Sequence, residues 1–176
     1  HQAARFRGLA GNLPTQDTAV LRLLLAIIAR SIAADRTHDE AVEAWGEWWE
    51  AGDLPLEEID AYLAEYQHRF DLLDPTAPFM QVPDLHTASG STSGLIKLIA
   101  DVPDGDKFFS LRHGSGLEMV DLAEGARWLV HAQAFDTSGI KTGVVGDPRV
   151  KGGRAYPLGT GYAGNLGIVT PEGTNL

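Results

Sequence analysis

The 176-residue chain is 44% apolar and 22% charged, carries a net charge of −10 and has no cysteine. That length fits one domain or part of one and is enough to bury a core unaided, while the missing cysteines exclude a disulfide scaffold, a thiolate metal site and a cysteine nucleophile. The longest apolar run, residues 20–29 with Arg22 inside it, is far short of the ~20 residues of a membrane span. No basic-then-apolar leader opens the sequence, so the reading is a soluble protein of a reducing, cytoplasmic compartment with no membrane partner.

Taken in chain order, four segments are expected to be helical. In the first, Leu21, Leu24, Leu25, Ile28 and Ile32 recur at helical spacing, and Leu23 and Ile27 widen the stripe. Only Arg22, Arg30 and alanines are left for a polar edge, so this helix is expected to be mostly buried. Pro14 and Thr15 mark its start, with Asp17 near the positive end of the dipole. The second opens on the capping box Thr37-x-x-Glu40, then sets Val42, Trp45 and Trp49 on one face and Glu40, Glu43, Glu47 and Glu50 on another, solvated one. A third carries Ile59, Tyr62, Leu63, Tyr66 and Phe70 as its stripe. The fourth runs from Asp121-x-x-Glu124 to about Phe135, with Leu122, Ala126, Leu129 and Val130 expected inward and His131 packed or solvated.

Between the third and fourth helices the texture changes. Asp74-Pro75, Ala77-Pro78 and Val82-Pro83 break helices at short intervals, Phe79-Met80-Gln81-Val82 reads as a short strand, and residues 86–94 form a small polar loop. After Phe135 come irregular loops and short strands, with glycines at 139, 143, 146, 152, 153, 159, 161, 164, 167 and 173. Opening on His1 and ending at Leu176 in this texture, the chain reads as a piece of a longer protein. The expected class is α+β, mainly helical, with short strands and long glycine-rich loops.

Charge is unevenly spread. Residues 31–80 hold 13 acids against Arg36 and Arg69, whereas residues 141–176 hold Lys141, Arg149, Lys151 and Arg154 against Asp147 and Glu172. An acidic body with a short cationic, glycine-rich strip suits a protein with one edge against a polyanion.

Few constellations suggest catalysis. Gly159-Thr160-Gly161-Tyr162-Ala163-Gly164 is a literal G-x-G-x-x-G, but it follows a proline and is not followed by a helical pattern or a ribose-binding acid. Gly90-Ser91-Thr92-Ser93-Gly94 is out of register for a nucleophile elbow, and the six histidines do not sit at metal-ligand spacing. No catalytic residue, metal or cofactor is therefore expected. Two cationic, small-residue stretches stand out instead: Lys107-Phe108-Phe109-Ser110-Leu111-Arg112, and the run from Ser138-Gly139-Ile140-Lys141 to Arg149, Lys151 and Arg154. Glycine backbone approaches phosphate or a groove floor closely, and the cations neutralise charge.

At these residues the sequence resembles a known family. Leu13-Pro14-Thr15-Gln16-Asp17, Phe70-Asp71-Leu72-Leu73-Asp74-Pro75, Pro78-Phe79-Met80-Gln81-Val82, residues 98–105, Phe108-Phe109 and the glycine segment from Ser138 to Asn165 are similar to CasA, the large subunit of the type I-E CRISPR surveillance complex Cascade. The resemblance implies a non-enzymatic DNA-recognition subunit that detects the protospacer-adjacent motif on duplex DNA, helps start strand opening and docks the helicase-nuclease. Its partners would be the other Cascade subunits, the guide RNA and double-stranded target DNA. Residues 1–176 would form part of the amino-terminal domain, the carboxy-terminal helical bundle lying beyond them. By the same resemblance, Phe109, Ser110 and Leu111 form the loop near the guide RNA, and Phe135, Thr137, Ser138, Gly139 and Lys141 the loop at the minor groove. That loop has fewer glycines here than the family can carry. Arg149, Lys151 and Arg154 are expected to touch phosphates. Two other readings remain open from the residues alone: a nucleotide- or phosphate-binding enzyme using residues 159–164, and an interaction domain anchored by Trp45, Trp48 and Trp49.

Overall fold

The computed structural model describes residues 8–33, 35–102, 110, 112, 114–136, 139–156 and 161–163. Their order is α1 (Pro14–Ala33), α2 (His38–Ala51), α3 (Leu56–Tyr66), α4 (Leu122–Phe135), β1 (Lys141–Thr142) and β2 (Arg154–Ala155), with 3₁₀ turns at Gln67–Phe70, Leu95–Lys97 and Gly114–Leu117. The class is the mainly helical α+β arrangement expected from sequence. No helix among the described residues is long and apolar enough to cross a membrane.

Helix α1 is the hub, packing against α2, α3 and most extensively α4. The chain before it folds back on its first turn. Gly11 N–H donates to Asp17 Oδ1 (2.7 Å) and Asn12 N–H to Gln16 Oε1 (2.9 Å), which leaves Gln16 fully buried. A Cβ at Gly11 would collide with both acceptors, so glycine is required for this closure. Contact with α4 is made through small residues: Ala19, Val130 and Ala134 form the buried centre, and Val20, Leu23, Phe79, Met80 and Phe135 close around it. The expectation of a mostly buried α1 needs correction. Ile32 is buried, but Leu21, Leu24 and Leu25 are 37%, 40% and 46% exposed. The helix is apolar on nearly every side, so periodicity could not select a face; Ala19 and Ser31 do, because small side chains permit the closest approach.

Helix α2 begins as the sequence requires. Thr37 accepts from Glu40 N–H, and the Glu40 carboxylate accepts from Thr37 N–H at 2.7 Å. The Thr37 N–H and hydroxyl, both donating to this carboxylate, hold the Glu40 carboxyl below its ordinary value. The helix ends on Gly52, whose φ of 70° lies in the left-handed region that glycine enters without penalty. Arg36 ties three helices together: it donates to Ile32 C=O at the end of α1 (2.9 Å), lies 5.6 Å from the Trp48 ring of α2 and is 3.7 Å from Glu58 of α3. On α3 the predicted stripe is half-buried, with the Tyr62 and Tyr66 rings 4.7 Å apart.

The expected strand at residues 79–82 is a turn. Pro78 C=O accepts from Gln81 N–H, Met80 has a φ of 53°, and Phe79 N–H donates to Asp71 C=O at 2.7 Å. Flanking prolines cannot donate to a sheet ladder, and burying Phe79 and Met80 against the α1–α4 centre favours the compact form.

Asp121 caps α4 by accepting from Glu124 N–H (2.7 Å). The inward face agrees with the expected one at Val130 and differs elsewhere: Gly125, Trp128, His131 and Ala134 are buried with it, Ala126 and Leu129 are half-buried, and Leu122 is 60% exposed. Trp128 can be fully buried because its indole N–H donates to Glu124 Oε1 (3.1 Å). Glu124 also takes the Arg112 guanidinium, which lies 3.7 Å from Asp101 as well. Burial opposes the charged form of Glu124, but hydrogen bonds from Arg112 and Trp128 outweigh it and hold this carboxyl below its usual value.

Candidate nucleic-acid interface

Beyond α4 the chain makes a narrow hairpin. Strands β1 and β2 pair antiparallel, Lys141 opposite Ala155 and Thr142 opposite Arg154, and Gly143 N–H donates to Gly153 C=O at 2.8 Å. A smaller turn closes the second strand on itself: Lys151 and Arg154 bridge around Gly152 and Gly153, whose φ values of 58° and 74° both lie in the left-handed region. Two positive φ angles define a type I′ turn, which the Gly-Gly pair makes without strain. Gly143 is needed for a different reason, since a Cβ there would run into the Val150 side chain and the Gly153 backbone.

The hairpin is anchored at its base. Asp136, which follows α4, accepts Lys141 Nζ through its carboxylate (3.0 Å) and Gly161 N–H through its carbonyl (2.8 Å). Ala163 N–H donates to Ala134 C=O at 2.7 Å, and Arg22 of α1 lies 4.7 Å from the Tyr162 ring. A Cβ at Gly161 would strike the Ala134 carbonyl, so this glycine permits the chain to lie against the last turn of α4. The described part of the G-x-G-x-x-G therefore meets the carbonyl end of a helix, where the dipole is negative. A dinucleotide site requires the opposite, amide-bearing end.

The four cations expected to touch a polyanion are not equivalent. Arg149 is clamped by Asp147, with Nε 2.9 Å from Oδ1 and Nη2 2.8 Å from Oδ2. Side-chain and backbone hydrogen bonds from Arg149 pull the Asp147 carboxyl down to about 2. Lys141 is paired with Asp136, whereas Lys151 and Arg154 are exposed and make no ion pair among the described residues. Gly139 and Ile140 are exposed on the approach to β1, and Gly139 has no atom near the place a Cβ would occupy.

The other expected site residues fall elsewhere. Phe135 is half-buried, stacked on His131 with ring centroids 5.1 Å apart and packed at the α1–α4 centre, so it belongs to the core. Ser110 is half-buried and its hydroxyl accepts from Arg112 N–H (3.1 Å). Phe109, Leu111, Thr137 and Ser138 lie outside the described residues.

One neighbour of the hairpin escaped the sequence reading. Thr87 bridges Val144, and Val145 N–H donates to His86 C=O at 3.1 Å, so the polar loop at residues 86–94 lies alongside. Its Thr87, Ser89 and Ser91 hydroxyls lie within hydrogen-bond distance of one another, all at 3.0–3.2 Å. The Ser/Thr composition was visible; the partner across the chain was not.

Comparison with known proteins gives a consistent result. The profile of the family described as CRISPR-associated protein Cse1 matches residues 1–176. A CRISPR-associated protein CasA/Cse1 from Thermus thermophilus is 29% identical over 141 residues, covering 79% of this chain and 27% of the relative. Among solved structures, Thermobifida fusca Cse1 is similar with a TM-score of 0.78 and 52% identity, covering 97% of this chain and 31% of that one. Cse1 from Acidimicrobium ferrooxidans follows with a TM-score of 0.65 and 35% identity, covering 88% and 27%. The chain thus spans less than a third of the length of these relatives.

Proposed function

The chain belongs to the family of CRISPR-associated protein Cse1, and from that membership we propose that it is the amino-terminal part of a Cascade subunit that reads the protospacer-adjacent motif on duplex DNA. In this reading the subunit is non-enzymatic and cytoplasmic, of the type I-E system. It helps start strand opening beside the guide RNA and docks the helicase-nuclease. Residues 1–176 are part of its amino-terminal domain.

The observation that carries the proposal is the glycine-turned hairpin with Lys151 and Arg154 bare across its turn. A minor groove about 6 Å wide admits a thin loop but not a helix, and it offers a degenerate pattern suited to a short, permissive tag. Sequence discrimination then rests with pairing between guide and target. Gly139 and Ile140 supply the slender approach, Lys141 and Arg149 stand in reserve behind carboxylates, and Lys151 and Arg154 meet phosphates. Phe109, Ser110, Leu111, Thr137 and Ser138 complete the contact in this proposal. The acidic body disfavours binding elsewhere on the surface.

The test is target-duplex binding by the reconstituted complex carrying the full-length subunit, on duplexes that differ only in the adjacent motif. Lys151→Ala/Arg154→Ala should weaken binding and reduce the salt dependence while the complex stays assembled. Unchanged affinity across a salt titration would defeat the assignment.

A further inference from the structure

Helix α2 has a second face that the fold leaves bare. Val42, Trp45 and Trp49 recur three and four residues apart and so line one side of the helix, where they are 58%, 42% and 54% exposed. Trp48, one position away in sequence, points to the body of the protein, half-buried under Arg36. The side of α2 used for packing is therefore that of Ala41, Ala44 and Trp48. Neither Trp45 nor Trp49 has a stacked ring or a cation over it among the described residues. Two indoles left in water beside a third that is packed are unusual on a helix otherwise well specified by its capping box and its glycine stop.

The edge of this strip sets what can cover it. Asp39, Glu43 and Glu50 run along one flank with Glu47 beyond them, all exposed. An apolar centre bordered by charge is the general anatomy of a protein interface, and tryptophan is the side chain most enriched among energetic hot spots. Carboxylates at this density repel nucleic acid and anionic headgroups. They also oppose a second copy of α2, which would bring acidic rows together. A helix with leucine-type residues on one side and lysine or arginine beside them satisfies both the strip and its border. We infer that the Val42–Trp45–Trp49 face of α2 docks a basic amphipathic segment of a partner protein. This surface lies on another element and carries the opposite charge from the hairpin, so it stands independently of DNA recognition.

The experiment uses the full-length subunit and two synthetic amphipathic helices of one length, one of leucine and lysine, the other of leucine and glutamate. Tryptophan fluorescence and calorimetry report binding. The leucine–lysine helix should bind, and the leucine–glutamate helix should not. Trp45→Ala/Trp49→Ala should weaken the interaction about ten-fold or more, the loss of a hot-spot pair. Glu43→Gln/Glu47→Gln/Glu50→Gln should weaken it too and flatten its salt dependence. These residues are exposed, so both variants should keep the parent circular dichroism and melting temperature. The inference is overturned if acrylamide fails to quench Trp45 and Trp49 in the free full-length subunit. Failure of the leucine–lysine helix to bind, indifference to the tryptophan substitutions, or equal binding to phosphatidylserine vesicles would each overturn it as well.

Discussion

Thr15 Oγ1 at the start of α1 and His131 Nε2 on α4 lie 3.1 Å apart, joining positions 116 residues distant in sequence. The imidazole is sandwiched against Phe135 and edge-on to Trp128, with ring centroids 5.1 and 5.4 Å away. This polar link sits beside the apolar centre that holds the two longest-range helices together.

The burial of His131 makes stability depend on pH. Burial pushes the His131 pKa below its ordinary 6.5. The unfolded chain then binds the proton more readily than the folded one, so stability rises with pH up to about 6.5 and falls as the solution is acidified through that value toward the lower, folded pKa. Thermal melts of the full-length subunit between mildly acidic and neutral pH should show this fall. In His131→Gln, which retains a hydrogen-bonding end but cannot titrate, the fall should be smaller.

Glu124 holds two buried donors at once, so its removal should be more damaging than that of any surface acid. Glu124→Ala leaves the Trp128 indole without its acceptor and the Arg112 guanidinium with only the longer contact to Asp101, and should cost about 3 kcal/mol in urea unfolding. Replacing Arg112 by Met in the same molecule should recover part of that loss. A double variant as unstable as the single would show that the charge pair is not the cause.

Gly139 and Gly143 should separate steric effects on a partner from effects on the fold. Gly139→Trp meets open space and should leave the melting temperature within about 1 °C while lowering duplex affinity. Gly143→Val drives side-chain atoms into Val150 and Gly153 and should disrupt the hairpin by about 1–3 kcal/mol locally. Faster amide exchange at Thr142 and Arg154 would register that disruption.

The cations should likewise differ. Removing Lys151 or Arg154 should lower the slope of log affinity against log salt by about one unit each. Arg149→Ala should lower it by less, because Asp147 already neutralises that guanidinium. Asp147→Asn should tighten duplex binding by freeing it. Equal slopes for all three alanine variants would show that the carboxylate clamp opens at no cost.

How much of this was legible depended on whether the signal was local. The Thr37 and Asp121 caps are set by neighbours within a few residues, and each lies where the sequence implies; the Gly52 stop and the glycine turn between Lys151 and Arg154 are equally local. The buried face of α1 was not legible, because leucines surround that helix and only packing against α4 chooses among them. Residues 79–82 read as a strand by composition, whereas the Asp71 carbonyl and the flanking prolines impose a turn. Trp128 and His131 entered the core through polar partners supplied by Glu124 and Thr15. At the candidate interface it was the family resemblance, not any local rule, that singled out the stretch from Phe135 to Lys141 as an expected loop. Which cations are bare was decided by Asp136 and Asp147, whose geometry no spacing rule announces.

Asp136 also has a mechanical implication. The chain entering the hairpin is tied to this residue through Lys141 and the returning chain through Gly161, so among the described residues one position holds both legs of the hairpin. A load applied at its tip by a bound duplex is delivered to the last turn of α4, and through His131 to the first turn of α1. Changes at Gly161, far from any phosphate, would thereby loosen the grip at the tip.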